Sequence, residues 1–148
     1  MKERYKTKSA VFLLILEKDK ILLQKRKNTG FMDGFYDLAV SGHVEAGEPI
    51  TQAVLREARE ECNLELKPEE LRLFTVIHNR LDGEVYYYFY FTADLSQENK
   101  DRLEIKEKDK IEELAWFDLK NMPRKVSEHN RVAIENYKSG TPLSELGW

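Results

Sequence analysis

A chain of 148 residues is long enough to bury one hydrophobic core and too short for two, so residues 1–148 are expected to form a single domain. Its 24 basic and 27 acidic side chains leave a net charge of −3, which excludes the broad positive field of a nucleic-acid binder. One cysteine excludes an internal disulfide, the start MKERYKTKSA holds no apolar segment of signal-peptide length, and no apolar run approaches the roughly 18 residues of a membrane span. The expectation is a cytoplasmic protein with no membrane or stable nucleic-acid partner.

Ala10 to Leu16 (AVFLLIL) and Ile21 to Gln24 (ILLQ) flank Glu17-Lys18-Asp19-Lys20, the pattern of two buried strands joined by a charged turn. Lys25 to Phe35 is rich in Asn, Gly and basic residues and reads as a loop; a short strand around Tyr36 to Val40 then leads into a loop holding Gly42. Pro49 suits the first turn of a helix running to about Cys62, and Asn63 can take the left-handed conformation that ends it. Leu71 to Arg80 and Glu84 to Ala93 flank Leu81-Asp82-Gly83, and Asp-Gly between β-rich runs predicts a hairpin. Ser96 to Asp109 reads as a polar surface loop, Leu114 to Phe117 as a short strand, and Arg131 to Tyr137 as part of a C-terminal helix. Interspersed strands and helices around one core predict an α+β fold, a central mixed sheet covered by helices on both faces.

The chemistry concentrates between Gly42 and Leu64, GHVEAGEPITQAVLREAREECNL. Helical residues advance about 100 degrees each, so Glu57, Glu60 and Glu61 share one face. Val54, Leu55, Ala58 and Cys62 occupy the adjacent arc, which sets the acids at the edge of the buried face. Like charges at this spacing repel by about 0.2 to 0.5 kcal/mol per pair, a cost that a cation reverses. All-oxygen donors select Mg²⁺, Mn²⁺ or Ca²⁺ over zinc, with Mg²⁺ the first choice, and Mg²⁺ is commonly completed by substrate phosphates. An acidic triplet alone also fits a solvated helix face tied by pairs such as Arg56 with Glu60.

The whole segment is more specific. Gly42, Glu48, Arg56, Glu57, Glu60, Glu61 and Leu64 resemble the signature of the Nudix hydrolase family, G-x5-E-x7-R-E-U-x-E-E-x-G-U with U a bulky aliphatic. Ala58 stands where a larger aliphatic is usual, which predicts slightly looser helix packing, and Asn63 replaces a glycine while still serving the left-handed cap. Neither departure removes an acid. The order of elements on either side is also similar to the family, so the resemblance spans most of the chain.

The resemblance implies an α/β/α sandwich and hydrolysis of a nucleoside diphosphate linked to another group, with one to three divalent cations. Carried onto matching positions, Glu57, Glu60 and Glu61 would bind metal, with the Gly42 carbonyl a further candidate. Arg56 and Glu48 would form an ion pair that holds the loop on the helix and orients Glu57. The base that activates water would be a box glutamate, Glu57 or Glu60, or an acid in the later loop, for which Glu107 is the candidate; a solvated loop acid is its plain alternative.

Substrate contacts are expected from Arg26, at the end of a core strand, and from the following loop with Asn28 and Phe31. Arg26 would reach a phosphate and Phe31 would stack on a base, whereas Phe35 and Tyr36 fit core packing better. Tyr86, Tyr88 and Tyr90 alternate with Tyr87, Phe89 and Phe91, so one face of this stripe, with Tyr88 at its centre, would line the pocket and the other is core. His43, His78 and His129 share no ligand spacing, Cys62 reads as a buried hydrophobe, and Trp148 could cap a groove or contact a second copy in a homodimer.

The leading expectation is a Mg²⁺-dependent pyrophosphohydrolase acting on a nucleoside triphosphate or a modified one. A nucleotide-sugar pyrophosphatase acting on a compound such as ADP-ribose is the second enzyme reading, and a non-catalytic nucleotide sensor the third. An isopentenyl-diphosphate isomerase needs a catalytic cysteine in another context and is set aside.

Overall fold

The computed structural model describes residues 2–148. Its long first strand β1 (Lys8–Glu17) is buried at nearly every position, because helices cover both faces of the sheet to which it belongs. Val11, Leu13 and Ile15 point to one core and Ala10, Phe12, Leu14 and Leu16 to the other. The period of two thus distributes one apolar run between two layers.

β2 (Lys20–Arg26) returns from β1 through a turn in which Lys18 takes a φ of 55°. β3 (Tyr36–Leu38) pairs antiparallel with β2, and β4 (Val40–His43) pairs antiparallel with the first half of β1, Val11 opposite Gly42. The expected single strand from Tyr36 to Val40 is therefore two short strands on different partners, separated at Ala39. Gly42 lies on a strand and not in a loop, a correction that decides how close it comes to the following helix.

That helix, α1 (Ile50–Cys62), begins after Pro49 and ends on Asn63 with φ 59°, as the sequence predicts. Ala53, Val54, Ala58, Cys62 and Leu64 are fully buried against the odd-numbered face of β1, so Ala58 sits in the core despite its small size. A single 3₁₀ turn (Pro68–Glu70) leads to β5 (Arg72–Leu81) and β6 (Glu84–Asp94), a hairpin closed by Asp82 and Gly83 with φ 52° and 80°. β6 pairs parallel with β1 along its length.

Ser96 to Asp109 is not all loop. Its first part forms a short helix, α2 (Gln97–Arg102), because the Ser96 hydroxyl accepts a hydrogen bond from the Asn99 amide at 3.1 Å. Buried Asn99 then ties this segment to both backbone polar groups of Glu65, at 2.9 and 3.1 Å. β7 (Ile111–Asp118) is longer than expected and pairs with β2. α3 (Glu128–Ser139) covers the even-numbered face of β1 through Ala133 and Ile134, and β8 (Leu143–Leu146) adds a parallel edge strand to β5. β8 has no counterpart in the sequence reading.

The sheet runs β3-β2-β1-β6-β5-β8, with β4 on β1 and β7 on β2. It is mixed and lies between α1 and α3, the α+β sandwich expected. β1 pairs with β2 only at its end, Leu16 opposite Ile21 and Glu17 opposite Lys20. The two strands therefore diverge, and their far ends border the cleft described next.

Candidate active site

Arg56 organises the acidic end of α1. Its Nε and Nη2 donate to the two carboxylate oxygens of Glu48 at 2.7 and 3.0 Å, Nη2 also reaches the His43 carbonyl at 3.1 Å, and Nη1 donates to Glu57 at 2.8 Å and Glu60 at 3.2 Å. Five contacts on one guanidinium clamp the turn before the helix against both the helix and β4. The hydrogen bond from Arg56 holds the Glu48 carboxyl below its ordinary range, and Glu48 in turn is the main cause that raises the Arg56 pKa.

Glu61 is 8 % exposed, and its carboxylate accepts a hydrogen bond from the Ser41 amide at 2.9 Å. Burial raises its pKa well above the ordinary value; the Ser41 bond opposes that shift, while the charges of Glu57 and Glu107 add to it. Glu57 is raised chiefly by burial too, against the pull of Arg56, with Glu60 and Glu107 raising it further. Glu57, Glu60, Glu61 and Glu107 all line one cavity of about 500 Å³ together with Gly42, Arg56 and Arg26.

Among the described residues no three carboxylates stand at metal-holding spacing. Each has a nearer donor, Arg56 for Glu57 and Glu60 and the Ser41 amide for Glu61. The donor chemistry nevertheless fits a hard divalent cation: the ligands available are carboxylate oxygens, and their mutual repulsion and desolvation are relieved by positive charge.

A second cavity, of about 400 Å³, adjoins the first; Arg26, Ser41, Gly42 and His43 line both. Its walls are aromatic. Tyr88 packs edge-on against Phe12 at 5.1 Å between centroids, and the His129 ring lies 5.0 Å from Tyr88. The Tyr86 hydroxyl stands 2.9 Å from the His43 ring nitrogen Nε2. Phe31, 52 % exposed, lies at the rim, where the Arg26 guanidinium sits 5.7 Å from its ring centre.

Arg26 spans the two cavities but its guanidinium is engaged. Nε donates to the Phe31 carbonyl at 3.0 Å and Nη1 to the Asp37 carboxylate at 3.2 Å. Asp37 also accepts from Asn130 at 2.5 Å, and Asn130 accepts from the buried Tyr90 hydroxyl at 2.9 Å. This chain of polar groups crosses the even-numbered core and holds the pocket floor.

Asn28 lines neither cavity; its side chain donates to the Asp109 carbonyl at 3.4 Å, tying the loop after β2 to the loop before β7. Tyr36 packs edge-on against Phe117 at the sheet, with centroids 4.9 Å apart. In the aromatic stripe Tyr86 and Tyr88 line the pocket, Tyr90 is fully buried behind them, and Phe89 and Phe91 pack toward α1. Trp148 is remote from both cavities: its indole N–H donates to the His78 carbonyl at 3.1 Å and its ring faces Arg80.

Sequence reasoning missed Asp37 because it stands in a run that reads as core, and His129 and Asn130 because they precede the Arg131 to Tyr137 stretch that reads as helix. An acid inside the apolar run Tyr36-Asp37-Leu38-Ala39-Val40 was the one available signal, since a buried carboxylate demands a partner.

A mixed sheet between two helices, with an arginine-clamped glutamate helix beside an aromatic pocket, is the build of a Nudix hydrolase. The chain belongs to the NUDIX domain family, whose model matches residues 6–137. It is 34% identical over 125 residues to the ADP-ribose pyrophosphatase of Methanocaldococcus jannaschii, covering 83% of this chain and 69% of that protein. It is 27% identical over 128 residues to the NAD-capped RNA hydrolase NudC of Pseudomonas aeruginosa, covering 81% of this chain but only 41% of that relative. Among solved structures, a MutT NUDIX hydrolase from Burkholderia pseudomallei superposes with a TM-score of 0.76 at 28% identity, covering 88% of this chain and 98% of the other.

Proposed function

We propose that this chain is a divalent-cation-dependent pyrophosphohydrolase that cleaves a phosphoanhydride of a nucleoside triphosphate or modified nucleotide by attack of water at phosphorus. The observation that carries this reading is the continuity of the acidic and aromatic cavities across Ser41 and Gly42. A nucleotide has the same two-part chemistry, a flat base at one end and a polyanion at the other.

Glu57, Glu60 and Glu61, with the Gly42 carbonyl, would hold Mg²⁺ or Mn²⁺, which supplies the positive charge that neutralises phosphate oxygens in such a cleft. Arg56, locked onto Glu48, keeps Glu57 aimed at β4. The water oxygen bonds to phosphorus, the bridging P–O bond breaks toward the leaving phosphate, and the released proton passes to a carboxylate. We assign that proton to Glu107, which lines the acidic cavity beside the acids that would hold the cation; Glu57 and Glu60 are the alternatives. Phe31 and Tyr88 flank the base, and Arg26 joins the two ends of the substrate.

A second reading, ADP-ribose as substrate, is favoured by the 34% identity to an ADP-ribose pyrophosphatase. One panel tests both: nucleoside triphosphates, ADP-ribose and NAD-capped RNA, each with and without Mg²⁺, assayed for product release with the unaltered protein and with Glu60→Gln and Glu61→Gln. Turnover that needs Mg²⁺ and falls in both variants supports the hydrolase. Nucleotide binding without turnover on every compound, unchanged in both variants, overturns it in favour of a sensor.

A further inference from the structure

Three cationic side chains line the acidic cavity, Arg26, Arg56 and Lys110. Two are already engaged: Arg56 by Glu48, Glu57, Glu60 and the His43 carbonyl, and Arg26 by Asp37 and the Phe31 carbonyl. Among the described residues the Lys110 ammonium enters no ion pair and no hydrogen bond. Its acidic neighbour Glu112 pairs instead with Lys25, at 3.3 Å.

The Lys110 backbone, in contrast, is fixed. Its N–H donates to the Glu107 carbonyl at 3.0 Å, and its carbonyl accepts from the Lys27 amide at 2.8 Å. The next residue, Ile111, is buried and starts β7. The stem therefore rises from a pinned point on the cavity wall while its charged tip is uncommitted. Lys110 borders the acidic cavity and not the aromatic one, so the residue stands at the end of the cleft away from the base.

A polyphosphate entering beside five glutamates needs positive charge from the protein as well as from a cation, and an already paired guanidinium offers less than an unpaired ammonium. We infer that Lys110 contacts the outer phosphate of the substrate and so favours nucleoside triphosphates over ADP-ribose, whose corresponding end is a neutral sugar. This inference rests on the hydrolase reading above. Lys110 acts as a specificity-determining residue and is not asked to move a proton.

The test compares the unaltered protein with Lys110→Gln and Lys110→Arg, measuring kcat and KM for a nucleoside triphosphate and for ADP-ribose at two salt concentrations. Loss of one charged contact is expected to raise KM for the triphosphate about tenfold in Lys110→Gln, with kcat kept and the salt dependence reduced. KM for ADP-ribose is expected to change less than about twofold, and Lys110→Arg is expected to restore most of the loss. Unchanged KM for the triphosphate, or equal losses on both substrates, overturns the assignment. If the unaltered protein hydrolyses neither compound, the nucleoside-triphosphate reading falls, and binding of inorganic pyrophosphate with Mg²⁺ judges Lys110 alone. Weaker binding by Lys110→Gln then supports the phosphate contact, and equal binding overturns it.

Discussion

Gly42 and Glu57 meet in a space that only a glycine leaves open: a Cβ at position 42 would overlap the Glu57 carboxylate. The obstacle is the far end of a flexible side chain and not backbone, so the fold can yield where the carboxylate cannot keep its place. Gly42→Ala is expected to leave the melting temperature within a few degrees and to lower kcat/KM by about 10²-fold, the usual consequence of a misplaced catalytic group. Retained activity in a folded Gly42→Ala protein would show that Glu57 does not need its present position.

Arg56 is held by contacts that lysine cannot reproduce, because a single ammonium cannot span Glu48, Glu57 and the His43 carbonyl together. Arg56→Lys should therefore lose about 1 to 3 kcal/mol in urea denaturation and lose activity as Glu57 and the loop at Glu48 drift apart. A variant as stable and active as the parent would argue that the clamp is decorative.

Glu61 sets stability against function. Its folded pKa is raised by burial, so the folded protein holds this proton more tightly than the unfolded chain does. The stabilising contribution is complete below the unfolded pKa and is lost as pH rises through the folded one. Glu61→Gln keeps the acceptor for the Ser41 amide and carries no charge, so without added metal it should melt higher than the parent at pH 8 and not at pH 4. The same variant should lose Mg²⁺-dependent turnover. Parallel melting curves across this pH range would contradict the buried-charge account.

Glu107→Gln isolates the proton acceptor. If Glu107 removes the proton from water, kcat should fall by about 10²- to 10⁴-fold with KM little changed. Unchanged turnover would remove it from the mechanism and return the role to Glu57 or Glu60.

Cys62 lies in the core with its thiol against the Ala39 carbonyl, and burial pushes its pKa up to about 12. Native protein should resist iodoacetamide at neutral pH and react only in denaturant. Rapid labelling of the folded chain, followed by mass spectrometry, would show that α1 opens from the sheet.

Local readings succeeded where one short-range signal decides the structure. Asp82-Gly83 makes the hairpin turn because the pair tolerates positive φ, and Asn63 ends α1 for the same reason. They failed where the decision is made by distant partners. Tyr36 to Val40 divides because β2 takes its first half and β1 its second, a competition that no window of sequence contains. β8 was illegible because four residues ending near a C-terminus gain strand geometry only by pairing with β5. The first turn of the Ser96 segment was legible in principle, since serine three residues before an amide donor is a helix cap.

By itself the sequence determined the α+β class, the helix that carries the acids and the register of Glu48, Arg56, Glu57, Glu60 and Glu61, because helical periodicity and spacing are local properties of the chain. Only the tertiary structure decided that Gly42 faces Glu57 from a strand, that Asp37 is answered by Arg26 and Asn130, and that Lys110 alone among the cavity cations lacks a partner among the described residues. Those relations join residues 11 to 93 positions apart. They exist because packing two helices on one sheet brings distant side chains into a space where each charge must find a counter-charge, a ligand or water.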